Sequence, residues 1–539
     1  MSGARTLTRD PVPETMSEAA AVATAAPPPA RPKPSSRVLL TAAGLIVIAG
    51  AAVRFAVLSG SIWFDESVSV TDVNGSFGQM LHKVVNHEAS PPFYFVCLWI
   101  WRHLVGGTAV ELRTLSALAG TLTIALAFYV ARRRIGGRAG LILALCVAVN
   151  PALVYYSTEL RMYGLLVLIT GIGFEAFLRA SESAKPKYLS VWAMASILAV
   201  WTQYYAALAV APQAALLIAA ASRSHPRPRA TLVAVGGVVL GALPLLYLIP
   251  YQARHAFAYG SPLLSSPWHR VPTSIHVNST VAAVAQELAV GPGGAFRPLL
   301  TLLVMMIGIV AVALIFRHRQ TTKRQLIWGA CLILPAIVVV ETVVHLHLLV
   351  EGRYLLPLWL PVGLAVVYAL VSPSAGRLGL ALTGALVCLW IGVLAVTLAV
   401  PEFGTRDDTL GAARSLGVAT SGRLIAINEP WDVVTFKQYR PQTSVDVHPV
   451  VRVRELDVVA MPIGAEPDPS AHQRPSSLGV GALPKGLRLV QVVRGSMFLV
   501  ARFVASTPVS IRVDGHGKAF AASSWRFLNE PAGGRMGRL

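Results

Sequence analysis

The sequence predicts a polytopic α-helical membrane protein of about eleven transmembrane helices, followed by a small extracytoplasmic α/β domain. Of its 539 residues, 54% are hydrophobic and only 13% charged, and the mean hydropathy of +0.60 lies far outside the range of soluble domains. Apolar runs of about 20 residues, each able to cross a core of roughly 30 Å at about 1.5 Å per residue, recur between positions 38 and 400. After residue 400 the runs shorten and charge returns, which marks a soluble piece.

Residues 1–37 are rich in Ala, Pro and basic side chains and lack an apolar stretch, so they read as a disordered cytoplasmic tail. The run that follows is too long, and lies too deep in the chain, to be a cleaved signal segment. The 38–400 portion contains spans predicted near 38–58, 114–131, 139–157, 163–178, 188–203, 204–221, 231–250, 299–316, 325–346, 355–371 and 377–400. The segment 91–105 is apolar but short, opens with Pro91 and Pro92, and carries Trp99 and Trp101, which suits a helix lying in the interface. With 91–105 not crossing, 20 of the 29 Lys and Arg residues before position 401 fall on one side, among them Arg132, Arg133 and Arg134. By the positive-inside rule that side is cytoplasmic and holds the N-terminus. An odd number of spans then puts the C-terminal domain outside the cell or inner membrane.

Four segments face the exterior: 59–113, 158–162, the long loop 251–298, and 345–354. Beyond the spans, 401–510 reads as a soluble α/β domain, with a polar helix at 406–416, a strand at 423–428, a helix start at 429–432, a strand at 457–461 and a strand pair within 487–504. It has no glycine-rich phosphate fingerprint. Residues 511–539 read as an irregular basic tail.

Composition also excludes several classes. Cys97, Cys146, Cys331 and Cys388 sit in apolar stretches without repeated spacing, so neither a disulfide framework nor a zinc site is indicated. A net charge of +20 would suggest nucleic acid in a soluble protein; here the basic residues follow the loops, and no nucleic-acid partner is expected. Richness in Ala and Arg points to a bacterial source with GC-rich coding.

Polar residues cluster at the outer span ends. Asp65 and Glu66 follow the first span, where a carboxylate in hydrocarbon costs roughly 2.5–3.5 kcal/mol at a helix centre. Either they line a reaction cavity, or they end the helix and face water. Neighbours on a helix point about 100° apart, so the two would hold different roles. His87, Glu88 and Tyr94 come next in the chain. Tyr156, Glu159 and Tyr163 have the three- and four-residue spacing of one helix face, and Arg161 points elsewhere, toward an acidic group or an anionic ligand. Glu351, Arg353 and Tyr354 close the series, although Arg353 alone could simply snorkel. Asp65, Glu159 and His87 form a candidate divalent-metal set; His345 and His347, two apart in a helical context, do not share a face.

These clusters, in this order, resemble the GT-C membrane glycosyltransferases, in the branch of the protein O-mannosyltransferases and lipid A aminoarabinose transferases. The residues that carry the resemblance are WFDES, HEASPPFYF, LRTLSALAGTLTIALAFYVARRRIGGRAG, NPALVYYSTELRMYGLL and EGRYLLP. It is strong over about 38–178 and mainly architectural over 179–400. It implies inverting transfer of a sugar from a polyprenyl-phosphate donor to a hydroxyl acceptor on protein, lipid or glycan, at the outer face. It makes Asp65, Glu66 and Glu159 the catalytic candidates. Asp65 would be the base and Glu159 would position acceptor or metal. Arg161, Arg353, Tyr354 and Tyr163 would hold the donor phosphate, with His87, Tyr94 and Tyr156 lining the acceptor cavity. The competing class is a lipid or polysaccharide transporter or flippase, which would favour internal repeats and charges at the midplane. Neither feature is evident.

Overall fold

The computed structural model describes residues 35–183, 185–223, 228–255, 277–291, 297–317, 352–373, 375–399, 408–428, 432–445, 450–461, 483–495, 497–513 and 525–537, with isolated positions between them. The first span is α1 (Ser36–Ala56), opened by Ser35, whose hydroxyl accepts from the Val38 amide. A polar segment follows with α2 (Phe64–Asp72), α3 (Phe77–His87) and α4 (Phe93–Val105). At 13 residues α4 extends only about 20 Å, too short to cross, which agrees with an interfacial helix at 91–105.

The second span, α5 (Ala109–Arg134), starts at a Thr108–Glu111 capping box and ends on three arginines, placing positive charge at the negative end of the helix dipole. Then come α6 (Gly137–Val149), α7 (Pro151–Thr158), α8 (Tyr163–Ser183), α9 (Pro186–Thr202), α10 (Ala207–Arg223), α11 (Pro228–His255), α12 (Val277–Val290) and α13 (Arg297–Arg317). A 3-10 turn (Gly352–Leu358) leads into α14 (Trp359–Leu370), and α15 (Gly376–Ala399) ends the bundle. Among the described residues seven helices are long and apolar enough to cross a membrane, or eight if α6 and α7 form one bent span. Eleven spans are therefore not met there: α9, at 17 residues, is short, and the expected span at 325–346 lies outside the described residues, as do His345 and His347.

The run expected as one span over 139–157 is bent by 57° between α6 and α7. Proline has no amide hydrogen, so Pro151 leaves the Val147 carbonyl without its helical partner. Arg54 of α1, fully buried, makes good the loss: it donates to the carbonyls of Val147 at 3.0 Å, Ala148 at 3.2 Å and Gly50 at 3.0 Å, and to the Ser157 hydroxyl at 2.9 Å. A Cβ on Gly120 would press on Ser157 and on the Arg54 guanidinium, so glycine there makes room for the arginine.

The C-terminal domain is a six-stranded sheet of order β2-β6-β1-β3-β5-β4. Its strands are β1 (Arg423–Ile427), β2 (Ser444–Val445), β3 (Val450–Ala460), β4 (Arg488–Arg494), β5 (Leu499–Arg512) and β6 (Arg526–Glu530). β1 and β3 pair in parallel, and the other pairs are antiparallel. Two short helices, α16 (Thr409–Ser415) and α17 (Asp432–Tyr439), belong to it. The sheet corrects the expected boundary at 510: β5 runs to Arg512, and β6, from the stretch expected to be irregular, inserts between β2 and β1. Buried charge secures β6. Glu530 meets Arg423 at 2.6 Å and Arg440 at 2.7 Å, and Arg423 also meets Asp457 at 3.0 Å. The domain rests on α2 through α17, and Ile62 and Ala109 of the membrane portion join its apolar core.

Replacing Arg54 with Met should keep the volume but orphan the Val147 and Ala148 carbonyls, lowering stability by about 2–3 kcal/mol. Thermal unfolding of the detergent-solubilised protein checks this, and an unchanged midpoint would remove Arg54 from the bend.

Candidate active site

The site forms where three irregular segments meet: residues 58–63 ahead of α2, the break 159–162 between α7 and α8, and the 3-10 turn Gly352–Leu358. Arg113 of α5 ties the first two together. Its guanidinium donates to both Glu66 oxygens, at 2.8 and 2.6 Å, and to the carbonyls of Leu58, Gly60 and Ser61 at 2.7, 2.8 and 2.9 Å. Glu66 also accepts from the Leu160 amide at 2.7 Å and the Trp63 amide at 3.2 Å. All its acceptor capacity is thus used internally, in a side chain enclosed to 1% exposure. Glu66 is a clamp between two site segments, a correction to its expected part in the chemistry.

Asp65, one residue earlier, points elsewhere. Its carboxylate lies 4.0 Å from Arg161 Nε and 3.7 Å from Arg353 Nη1, and its side chain keeps 25% exposure. Both separations exceed a charge-assisted hydrogen bond of about 2.7–2.9 Å, so neither arginine has closed on the carboxylate. The Arg353 guanidinium stands over the rings of Trp63, Tyr163 and Tyr354 at 5.8, 5.9 and 5.5 Å. Tyr354 in turn stacks on Tyr205, the rings parallel to within 1° at 4.5 Å. Snorkelling to water is ruled out for an arginine with 11% side-chain exposure.

Arg161 is also held by Ser69 Oγ at 3.1 Å and Glu88 Oε1 at 3.2 Å. Asp65, Ser69 and Asp72 are four and three residues apart and share one face of α2, which explains why a single arginine reaches this row. Asp72 hydrogen-bonds Glu88, and burial together with the Glu88 charge pushes the Asp72 carboxyl well above the usual carboxylate range. One proton on Asp72 therefore relieves the repulsion between the two acids. Lys83 closes the end of α2 by donating to the Thr71 and Asn74 carbonyls at 2.7 and 3.0 Å.

The expected common helix face of Tyr156, Glu159 and Tyr163 is not found, because α7 stops at Thr158 and Glu159 is extended. Tyr156 and Tyr163 still meet edge to face across the break, at 5.2 Å. Glu159 is buried within electrostatic reach of Tyr94, Arg113 and Tyr163. Tyr94 is fully buried beside Phe95, and burial raises its phenol, which stays protonated. His87 stands edge-on to His82, and burial with the nearby His82 and Lys83 holds it below the ordinary histidine value. A divalent ion on Asp65, Glu159 and His87 does not fit: among the described residues no three His, Cys, Asp or Glu side chains converge as ligands.

Three contributors escaped the sequence reading. Arg113 sits at a span edge, where a buried arginine is itself a signal, and Asp72 shares the Asp65 face. Glu88 was visible only as part of its motif. Glu287 of α12, which accepts from the Gly352 amide at 2.7 Å and from the Tyr156 hydroxyl, gave no local signal.

Two outcomes follow from this geometry. Glu66→Gln should destabilise the protein by about 3–5 kcal/mol, since Arg113 would keep its charge without a buried counter-ion; thermal unfolding measures it. Asp72 holds its proton in the fold at pH values where the unfolded chain has lost it, so stability should fall as pH rises above the ordinary carboxylate range. Asp72→Asn should flatten that decline in unfolding midpoints recorded from pH 5 to 9.

Residues 89–248 match a family model described as dolichyl-phosphate-mannose-protein mannosyltransferase. No curated protein sequence matches the chain. Among solved structures it is similar to ArnT from Cupriavidus metallidurans bound to undecaprenyl phosphate, at 13% identity and TM-score 0.48, covering 87% of this chain and 98% of that one. The apo form of that protein aligns at 16% identity and TM-score 0.44 over 64% of this chain, which spans 63% of its length. The arabinosyltransferase EmbB from Mycobacterium smegmatis aligns at 15% identity and TM-score 0.41, over 64% of this chain and 32% of that one. The resemblance to GT-C membrane glycosyltransferases read from the outer clusters is thereby borne out over residues 89–248.

Proposed function

We propose that this chain is an integral-membrane inverting glycosyltransferase that moves a sugar from a polyprenyl-phosphate donor to a hydroxyl acceptor. The observation that carries the reading is Asp65, a partly open carboxylate facing two buried arginines that stop 4.0 and 3.7 Å short of it. The exposed quarter of its side chain is where an acceptor hydroxyl would approach. The family match over 89–248 supports the same chemistry.

In this reading Asp65 takes the acceptor hydroxyl proton as that oxygen bonds to the anomeric carbon. The bond from that carbon to the donor phosphate oxygen breaks, and its electron pair leaves with the phosphate. Arg353 and Arg161 stabilise the charge that grows there, from positions fixed in advance by aromatic rings and by Glu88 with Ser69. A single displacement inverts the sugar and needs no covalent intermediate. Tyr163 and Tyr354 flank the phosphate end, while Glu159, Tyr94, Tyr156 and His87 shape the acceptor side. The site faces the outer side of the plasma or inner membrane, with the N-terminus cytoplasmic, as the arginine-rich loops support.

The test is transfer from defined polyprenyl-phosphate sugars by the reconstituted protein. Asp65→Asn should cut kcat by about 100-fold or more with the protein still folded, and Arg353→Ala should raise the donor KM well beyond any change for the acceptor. Near-normal turnover by Asp65→Asn would remove Asp65 from the mechanism.

A further inference from the structure

The C-terminal domain touches the membrane portion at the helix that carries Asp65. Successive residues of α2 turn by about 100°, so Ser67 and Thr71, four apart, form a face distinct from both the Asp65 row and Glu66. This third face meets α17. The Ser67 hydroxyl donates to Thr435 Oγ1 at 2.8 Å, and Gln438 Nε2 donates to Thr71 Oγ1 at 2.7 Å. Just ahead of α2, the Ile62 amide donates to the Tyr439 hydroxyl at 2.8 Å, and Ser61 Oγ accepts from the Leu410 amide of α16 at 3.3 Å. Ser67, Thr435 and Tyr439 are all buried, so the Ser67–Thr435 and Ile62–Tyr439 bonds are shielded from water and each lost partner there would leave a buried polar group.

We infer that the C-terminal domain is a positioning element for Asp65, acting through Thr435, Gln438 and Tyr439. The inference rests on the glycosyltransferase reading for its kinetic consequence but not for its geometry. Arg113 through Glu66 and Arg161 through Ser69 hold α2 from the membrane side, which leaves its Ser67–Thr71 face, and with it some freedom to roll, to be fixed from elsewhere. Contact with α17 on the opposite side removes that freedom and sets the distances from Asp65 to Arg161 and Arg353. The domain thus serves the reaction without contributing a catalytic residue.

The experiment uses the full chain reconstituted in lipid. Thr435→Val with Gln438→Leu keeps the shape and removes the hydrogen bonds. It should lower kcat about 10- to 100-fold, the scale expected for a misplacement near 1 Å, while the donor KM stays within about twofold. Thr435→Ser should retain wild-type turnover. A second readout does not depend on activity: with the four native cysteines replaced, an Asp65→Cys thiol should react several-fold faster with a water-soluble maleimide when the Thr435 and Gln438 changes are added. Wild-type kcat in the double variant, or equal labelling in both backgrounds, overturns the inference. So does a kcat loss matched by a proportional KM rise and a lowered unfolding temperature. If the unaltered protein transfers no sugar from any polyprenyl-phosphate donor, the proposed function fails, and the labelling ratio still decides whether the domain positions Asp65.

Discussion

The bidentate pair between Glu66 and Arg113 is the constraint on which the site depends. Removing a carboxylate and a guanidinium from water is costly, and their mutual attraction offsets that cost only where geometry is good and the remaining hydrogen-bonding capacity is filled. Here it is filled: Arg113 takes three carbonyls besides Glu66, and Glu66 takes two amides besides Arg113. Those carbonyls and amides belong to residues 58–63 and to Leu160, the two segments that present Asp65 and Arg161. The ion pair converts two loops into one rigid surface. Asp65 and Arg161 are thereby brought to one surface, although neither belongs to the pair; the roll of α2 on that surface is left to its contact with α17.

Adjacent acids of the same charge have been driven to opposite fates by the pitch of a single helix. Glu66 at 1% exposure is enclosed and saturated, whereas Asp65 retains a quarter of its side-chain surface and meets its two cations at 3.7 and 4.0 Å, beyond hydrogen-bonding distance. Both stand in the first turn of α2, where the helix dipole favours negative charge. The environment beyond the helix therefore separates their roles. The two arginines opposite Asp65 are fixed by different means, Arg353 by ring faces and Arg161 by an acid and a hydroxyl. On the proposed function their charge would meet a leaving phosphate without waiting for side chains to reorganise.

Much of the bundle was legible because apolar length is a local property: α1, α5, α8, α11 and α15 fall where runs of the right length occur. The shortness of the helix within 91–105 was also legible, since α4 covers only Phe93–Val105. The separate roles of Asp65 and Glu66 followed from helical pitch alone. Glu66's partner did not, because Arg113 is 47 residues away and nothing in either segment names the other. The common face of Tyr156, Glu159 and Tyr163 was misread because α7 ends at Thr158 and Glu159 is extended, the Leu160 amide going to Glu66, distant in the chain. β6 was missed because five residues, Arg526–Glu530, carry too little periodicity, and its place in the sheet is secured by Arg423 and Arg440, distant in the chain.

Each segment at the site has given up regular helix, and in a membrane protein that surrender needs compensation, since backbone polar groups at lipid depth have no water to turn to. Buried charged side chains supply it here. Arg54 serves the carbonyls freed by the α6–α7 bend, Arg113 those of residues 58, 60 and 61, Glu66 the Leu160 amide, and Glu287 the Gly352 amide beside Arg353. Sensitivity to substitution should accordingly spread into residues that never touch a ligand, because an arginine that keeps a bend open and one that, in the proposed function, would meet a phosphate are, for the fold, parts of the same requirement: irregular backbone where side chains converge, and a buried charge wherever that backbone would otherwise go unpaired.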